Sequence, residues 1–202
     1  MYVFDLDGTL VDSVDAHVRA WIDALAELGV RASEDEVRPL MGLPAGEIAR
    51  RLAPGRAQEL ARLKVKYFLE RHIDEVRPYP DVDVLARLPR PIAVVTSSSG
   101  VLAREILRRT GLAVDFVLGG DEIDRGKPNP DPLYVVSRVF GVPTRSMVVV
   151  GDSVYDVEMA IAAGAKPVCV ARAARPCRDG VAVVRSLREL LYIPVNDGHG
   201  VD

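Results

Sequence analysis

A chain of 202 residues, 49% hydrophobic and 27% charged, can bury the core of one domain with a modest insertion and is not the composition of a disordered segment. A net charge of −3, with Arg matched by Asp and Glu along the whole chain, gives no basic stripe and argues against nucleic acid as a partner. No apolar run approaches the roughly 20 residues that span a bilayer, no charged-then-apolar signal segment opens the chain, and Cys169 and Cys177 form neither a disulfide framework nor a metal-ligand spacing; a reducing, cytoplasmic setting away from membranes is expected.

The apolar run Tyr2-Val3-Phe4 ends in Asp5-Leu6-Asp7-Gly8-Thr9. On extended backbone, residues two apart point to the same side, so Asp5 and Asp7 can face one space while Leu6 packs away from it. Gly8 lets the backbone turn there. Two acids aimed at one point repel unless a cation sits between them or one keeps a proton. Residues 16–28 then carry Val18, Ile22, Leu25 and Leu28 at helical spacing, closed by Gly29. Ser33-Glu34-Asp35-Glu36 reads as a capping box for a short second helix. A third helix follows the Met41-Gly42-Leu43-Pro44 loop and runs through Leu52, and a long amphipathic helix is expected over 57–74. Nothing in 14–75 reads as a strand.

Pro78 and Pro80 stiffen the next connector, and the pattern changes. A helix over 82–88 precedes a continuous apolar run, 91–95, of the kind that forms a strand covered on both faces. Helices are expected over 101–109, 131–140 and 154–163, alternating with strands over 116–118, 147–150, 167–170 and, shortest, 181–184; Ser186 opens a last helix and the polar tail 194–202 is expected to be loose. This alternation predicts an α/β fold, a doubly wound parallel sheet with helices on both faces. The expected division is a core of residues 1–13 and 79–202, with residues 14–78 a small α-helical cap inserted after the first strand, over the carboxyl edge of the sheet where such folds place ligands.

Residues just after each apolar run therefore matter most. They are Asp5 and Asp7; Thr96-Ser97-Ser98-Ser99 at a helix start that attracts anions; Lys127 in Gly126-Lys127-Pro128-Asn129-Pro130; and Asp152 and Asp156 in Gly151-Asp152-Ser153-Val154-Tyr155-Asp156. Carboxylates suit Mg²⁺, and lysine, hydroxyl and backbone N–H groups suit phosphoryl oxygens. No His, Cys or activated Ser stands at a strand end, which leaves a carboxylate as the nucleophile for phosphoryl transfer.

These four motifs in this order, followed by Ala162-Ala163-Gly164, resemble the haloacid dehalogenase superfamily in its branch with a helical cap, near the phosphoglycolate phosphatases and the β-phosphoglucomutase-like proteins. The resemblance covers nearly the whole chain. It implies that Asp5 carries an aspartyl-phosphate and that Asp7 is acid toward the leaving oxygen, then base on water. Mg²⁺ would be held by the Asp5 carboxylate, the Asp7 carbonyl and Asp152, with Asp156 in support. Thr96, Ser97 and Lys127 would hold the phosphoryl group of a small phosphate ester. The presence of Asp7 speaks for phosphate chemistry, since the dehalogenases of the family lack that second acid. Arg38 is a candidate substrate contact from the cap, by arginine's fit to anions. The run from Asp15 through His17 to Trp21 also resembles the mutase-like relatives, so a phosphosugar mutase stays open beside a phosphatase; a regulatory domain phosphorylated on aspartate is the third reading. A monomer or homodimer is expected.

Overall fold

In the computed structural model, residues 1–172 and 180–193 are described; the tail at 194–202 and Cys177 lie outside the described residues. Among the described residues six strands form one parallel sheet: β1 (Tyr2–Phe4), β4 (Ile92–Val95), β5 (Phe116–Leu118), β6 (Val148–Gly151), β7 (Lys166–Val170) and β8 (Ala182–Val184), in the order β5-β4-β1-β6-β7-β8. β2 (Val11–Asp12) and β3 (Arg77–Pro78) form a separate antiparallel pair. All six expected strands are present. The sheet is covered on both sides, one cluster holding Tyr2, Phe4, Ile92 and Val94 and the other Val3, Ala93, Val95 and Val149. That is why its strands read as unbroken apolar runs rather than alternations.

The chain runs outward from β1 through β4 to β5, then crosses back to β6 on the other side of β1. The order reverses at β1, so a crevice opens at the carboxyl ends of β4, β1 and β6. Tyr2, Val3 and Phe4 pair with Ile92, Ala93 and Val94 on one side and with Val148, Val149 and Val150 on the other. The polar residues that follow these strands are thus brought side by side by register alone.

Over this edge lie α1 (Val14–Glu27), α2 (Glu34–Val37), α3 (Ala45–Leu52) and α4 (Ala57–Tyr67). They bury their own cluster, including Val18, Trp21, Leu25, Ile48, Leu60 and Tyr67. Three further helices, α5 (Gly100–Thr110), α6 (Asp131–Phe140) and α7 (Val154–Ala162), flank the sheet.

Several elements differ from expectation: the short pair β2 and β3 is added, and the last helix, opened by Ser186, is the 3-10 turn Leu187–Tyr192. The long helix expected over 57–74 is regular only to Tyr67; a π turn over Phe68–His72 follows, swinging Phe68 to stack on His17 with ring centroids 4.3 Å apart. The helix expected over 82–88 is a 3-10 turn, Val82–Ala86, cut short by Pro89 and Pro91. The Asp81 carboxylate before it accepts from Arg172 at 2.7 and 2.8 Å and from the Leu187 N–H at 2.8 Å. Arg172 also donates to the Thr9 carbonyl at 3.0 Å and lies 4.1 Å from the Tyr79 ring centroid, tying the proline connector to the loop after β1. Finally, Cys169 is disulfide-bonded and fully buried on β7, which corrects the expectation that the cysteines take no part in a disulfide. No helix among the described residues is long and apolar enough to cross a membrane.

Candidate active site

Asp5 follows directly on β1, its N–H donating to the Val150 carbonyl of β6 at 2.8 Å. The residue is 9% exposed and lines the cavity at this edge. Lys127, 4% exposed on the loop between β5 and α6, donates from Nζ to Asp5 Oδ1 at 2.7 Å and also to Asp156 Oδ1. A buried ammonium ordinarily gives up its proton; here burial pulls the Lys127 pKa down, but the Asp156 and Asp5 carboxylates overcome it and raise it above the usual lysine value. Among the described residues, no hydrogen bond engages Asp5 Oδ2.

Asp152 and Asp156 come from the turn between β6 and α7. Asp156 completes a capping box with Ser153, whose N–H and Oγ both reach its Oδ2. Asp152 leans over the turn after β1, where Thr9 Oγ1 donates to its Oδ1 at 2.9 Å. Gly8 is required at that contact: its φ is +82°, and a Cβ there would stand 2.6 Å from Asp152 Oδ2. Oxygens of Asp5, Asp152 and Asp156 all lie within 4.8 Å of one another. Burial, then the Asp156 charge, pushes the Asp152 carboxyl up to about 6. Burial raises Asp5 well above the carboxylate range against the pull of Lys127, with the other acids adding to the rise. The cluster is short of positive charge, and three hard oxygen donors at this spacing fit a small divalent cation.

Asp7 points the same way one step further along the chain. Its Oδ1 accepts from Ser13 Oγ at 2.6 Å and from His17 Nε2 at 2.8 Å; its Oδ2 accepts from Ser98 Oγ at 2.7 Å and Thr96 Oγ1 at 3.2 Å. Burial works to raise its pKa, but His17 and these hydroxyls outweigh burial and hold Asp7 well below the ordinary carboxylate range. Behind His17 stands Lys64, its Nζ 2.8 Å from His17 Nδ1 and over the faces of Trp21 and Phe68 at 5.6 and 5.2 Å. Burial, then the Lys64 charge, lowers the His17 pKa. A neutral imidazole with Nδ1 accepting and Nε2–H donating satisfies both partners.

The structure brings Asp5, Asp7, Thr96, Ser97, Lys127 and Asp152 into the lining of one cavity of about 60 Å³. Asp156 sits just behind, in contact with Lys127. Ser97 Oγ donates across the cavity mouth to the Gly42 carbonyl at 3.0 Å. Arg38 is not brought to it. The Arg38 guanidinium donates to Asp15 at 2.5 Å and Glu34 at 2.9 Å on the outer surface, so its charge is spent within the helical block. His17, which the sequence gives only within the run that resembles the mutase-like relatives, lies on Asp7. The sequence singles out none of Lys64, Thr9 and Ser13, and gives Ser98 only as a member of the hydroxyl run 96–99. For Lys64 a signal existed: it falls four residues after Leu60 and three before Tyr67, on the apolar stripe of α4, where a lysine is out of place.

Residues 2–170 match the family described as haloacid dehalogenase-like hydrolase. A phosphoglycolate phosphatase of Neisseria meningitidis is 34% identical over 177 residues, covering 80% of this chain and 75% of that protein. A fructose-1-phosphate phosphatase of Escherichia coli is 32% identical over 171 residues, covering 80% and 91%. Among solved structures, a predicted phosphoglycolate phosphatase of Haemophilus somnus superposes with a TM-score of 0.83 at 25% identity, covering 95% of this chain and 96% of that one. With its sheet, its strand-end acids and these relatives, the chain belongs to the haloacid dehalogenase-like hydrolases, as a phosphatase of the branch that includes the phosphoglycolate phosphatases.

Proposed function

We propose that this protein is a Mg²⁺-dependent phosphatase of a small phosphomonoester, similar in substrate to the phosphoglycolate phosphatases, working through an aspartyl-phosphate on Asp5. The observation that carries the reading is Lys127 Nζ at 2.7 Å from Asp5 Oδ1, an ion pair that holds a strand-end carboxylate in the lining of the cavity. Asp5 Oδ2 attacks phosphorus in line with the ester oxygen, and the alcohol leaves. Lys127, Thr96 and Ser97 hold the phosphoryl oxygens, so that the work is positioning and charge neutralisation. Asp5, Asp152 and the Asp7 carbonyl would hold Mg²⁺, with Asp156 in support. When bound, the cation neutralises charge on the transferring phosphoryl group.

Asp7 moves the proton. In the free site it is held as the carboxylate, so it acquires a proton when the anionic ester is bound against it, passes that proton to the leaving oxygen, and takes another from the water that attacks the phospho-Asp5. His17 Nε2–H fixes the orientation of Asp7 Oδ1, and Lys64 fixes the tautomer of His17. We read residues 14–78 as a cap that closes over the bound ester, the Ser97–Gly42 hydrogen bond being the closed contact.

The mutase reading needs a cation to anchor a second phosphate while the intermediate turns over; among the described residues the cap wall of the cavity offers Lys64 alone, already paired with His17. The test is phosphate release from a panel of phosphomonoesters with Mg²⁺, wild type beside Asp5→Asn, with acid-quench trapping of the phosphoprotein. Turnover and trapped phosphate in wild type, both absent in the variant, are expected. Turnover persisting in Asp5→Asn would overturn the covalent route, and no release from any ester would overturn the activity.

A further inference from the structure

A buried ion pair lies outside the cavity lining, where no reacting group touches it. Arg172 follows β7 and Asp81 ends the proline connector; both side chains are 9% exposed, and two guanidinium nitrogens meet the two carboxylate oxygens at 2.7 and 2.8 Å. Hydrocarbon of the same volume is often as stabilising as such a pair, so stability alone is a poor reason for it. The remaining bonds of each partner run to other elements. Asp81 Oδ2 also accepts from Ser186 Oγ at 3.1 Å and from the Leu187 N–H at 2.8 Å, at the start of the 3-10 turn Leu187–Tyr192. Arg172 donates from two nitrogens to the Thr9 carbonyl, at 3.0 and 3.3 Å, with the Tyr79 ring beneath its guanidinium.

Thr9 lies in the turn between Asp7 and β2. That turn closes on the Leu6 carbonyl, which accepts from Leu10 and Val11 at 2.9 and 3.1 Å. From outside it is held by the Tyr79 N–H on the Leu10 carbonyl at 3.0 Å and by Arg172 on the Thr9 carbonyl. The fully buried Thr9 side chain faces the other way and donates to Asp152 Oδ1 at 2.9 Å. One residue therefore carries the guanidinium on its carbonyl and the acid on its hydroxyl. A β-branched side chain is stiff at χ1, so a displaced Thr9 backbone takes Oγ1 off Asp152.

Resting on the Mg²⁺ assignment above, we propose that Arg172 is a positioning residue of the phosphatase: clasped by Asp81, it fixes the Thr9 backbone, and Thr9 fixes the Asp152 carboxylate as a ligand of the cation. Mg²⁺ demands near-ideal octahedral geometry, and groups that orient its ligands without touching it commonly change affinity by about 10–100-fold. Arg172→Lys keeps the charge but replaces a fork that spans Asp81 and Thr9 by a single ammonium.

The experiment titrates Mg²⁺ calorimetrically into the full chain, without ester, for wild type, Arg172→Lys, Thr9→Val and the double variant. It then follows kcat against Mg²⁺ concentration on the ester that wild type turns over fastest. Each single variant is expected to weaken Mg²⁺ binding about 10-fold, and the double variant no further than either, because both act along one path. Raising Mg²⁺ is expected to restore kcat of Arg172→Lys with the KM for the ester unmoved. Unchanged affinity in Arg172→Lys, with only a lower urea midpoint, would make the pair a brace and overturn the inference while leaving the phosphatase standing. Losses that multiply to about 100-fold in the double variant would do the same. Should Arg172→Lys fail to fold, Asp81→Asn, which loosens the guanidinium from its anchor, is titrated alone and with Thr9→Val and read by the same criteria. The expected Mg²⁺ pattern without phosphate release from any ester would overturn the phosphatase reading and leave the positioning role intact; no Mg²⁺ binding by wild type would overturn both.

Discussion

The two walls of the cavity are built under different constraints. The core wall puts an acid, a hydroxyl or an ammonium at nearly every position, and each is fixed by a strand end or by a partner: Asp5 by Lys127, Asp7 by four donors, Asp152 by Thr9. The wall from residues 14–64 is part of an apolar cluster and contributes one His–Lys pair. Polar side chains at the sheet edge need partners to be buried at all, so their geometry is determined by each other. Hydrocarbon on the opposite wall needs only to be packed and can vary in shape without leaving a charge unpaired.

If the core wall carries the chemistry, its removal has the larger effect. Lys127→Met leaves Asp5, Asp152 and Asp156 buried without their ammonium; kcat should fall by more than about 1,000-fold, and stability by about 3–5 kcal/mol in denaturant unfolding. Chelation followed by gel filtration should abolish activity, and Mg²⁺ added back should restore it and raise the Tm, since a cation that binds the folded cluster stabilises it by mass action. Activity unaffected by chelator would break the assignment of the three acids.

His17→Asn tests the link between the walls. Loss of the imidazole should lower kcat by roughly 10–100-fold, the usual scale for disturbing a proton-transfer group. Since His17 holds the Asp7 pKa down, its removal lets that pKa rise, and the acid limb of the kcat profile should move to higher pH. A uniform drop with an unmoved limb would make His17 a packing residue only.

The smallest effect concerns Lys64, whose pKa burial lowers from 10.5 to about 8. Between those values the unfolded chain binds more protons than the folded one, so stability from this group rises as pH climbs through that window. Relative to Lys64→Met, wild type should gain on the order of 1–3 kcal/mol from pH 8 to pH 10, read by urea unfolding at each pH. A pH-independent difference would place the ammonium in water.

Most of the sheet is legible in the sequence because its strands are buried on both faces and bounded by glycine and proline. The strand-end acids are legible because period two puts Asp5 and Asp7 on one side and the apolar runs end where Thr96 and Asp152 begin. Lys127 is legible through its motif, Gly126-Lys127-Pro128-Asn129-Pro130, in order with the others, but its pairing with Asp5, 122 positions away, needs the fold. His17 is hidden for the same reason, being an ordinary helix residue until α1 and α4 pack together, whereas Lys64 shows itself only as a lysine on the apolar stripe of α4. The two-residue strands β2 and β3 carry no period at all, and Arg38 misleads because an arginine's fit to anions says nothing about which acids reach it first.

β2 and β3 lie side by side and antiparallel, Val11 opposite Pro78 and Asp12 opposite Arg77. The chain therefore departs from the sheet and returns to it through one doorway, and residues 13–76 are a detour with a common start and finish. The entropy of closing such a detour grows only slowly with its length. A helical block of another size or lining can be hung on the same two short strands without moving the register that aims the acids, so one hydrolytic apparatus can be refitted to new esters by exchanging what lies between them.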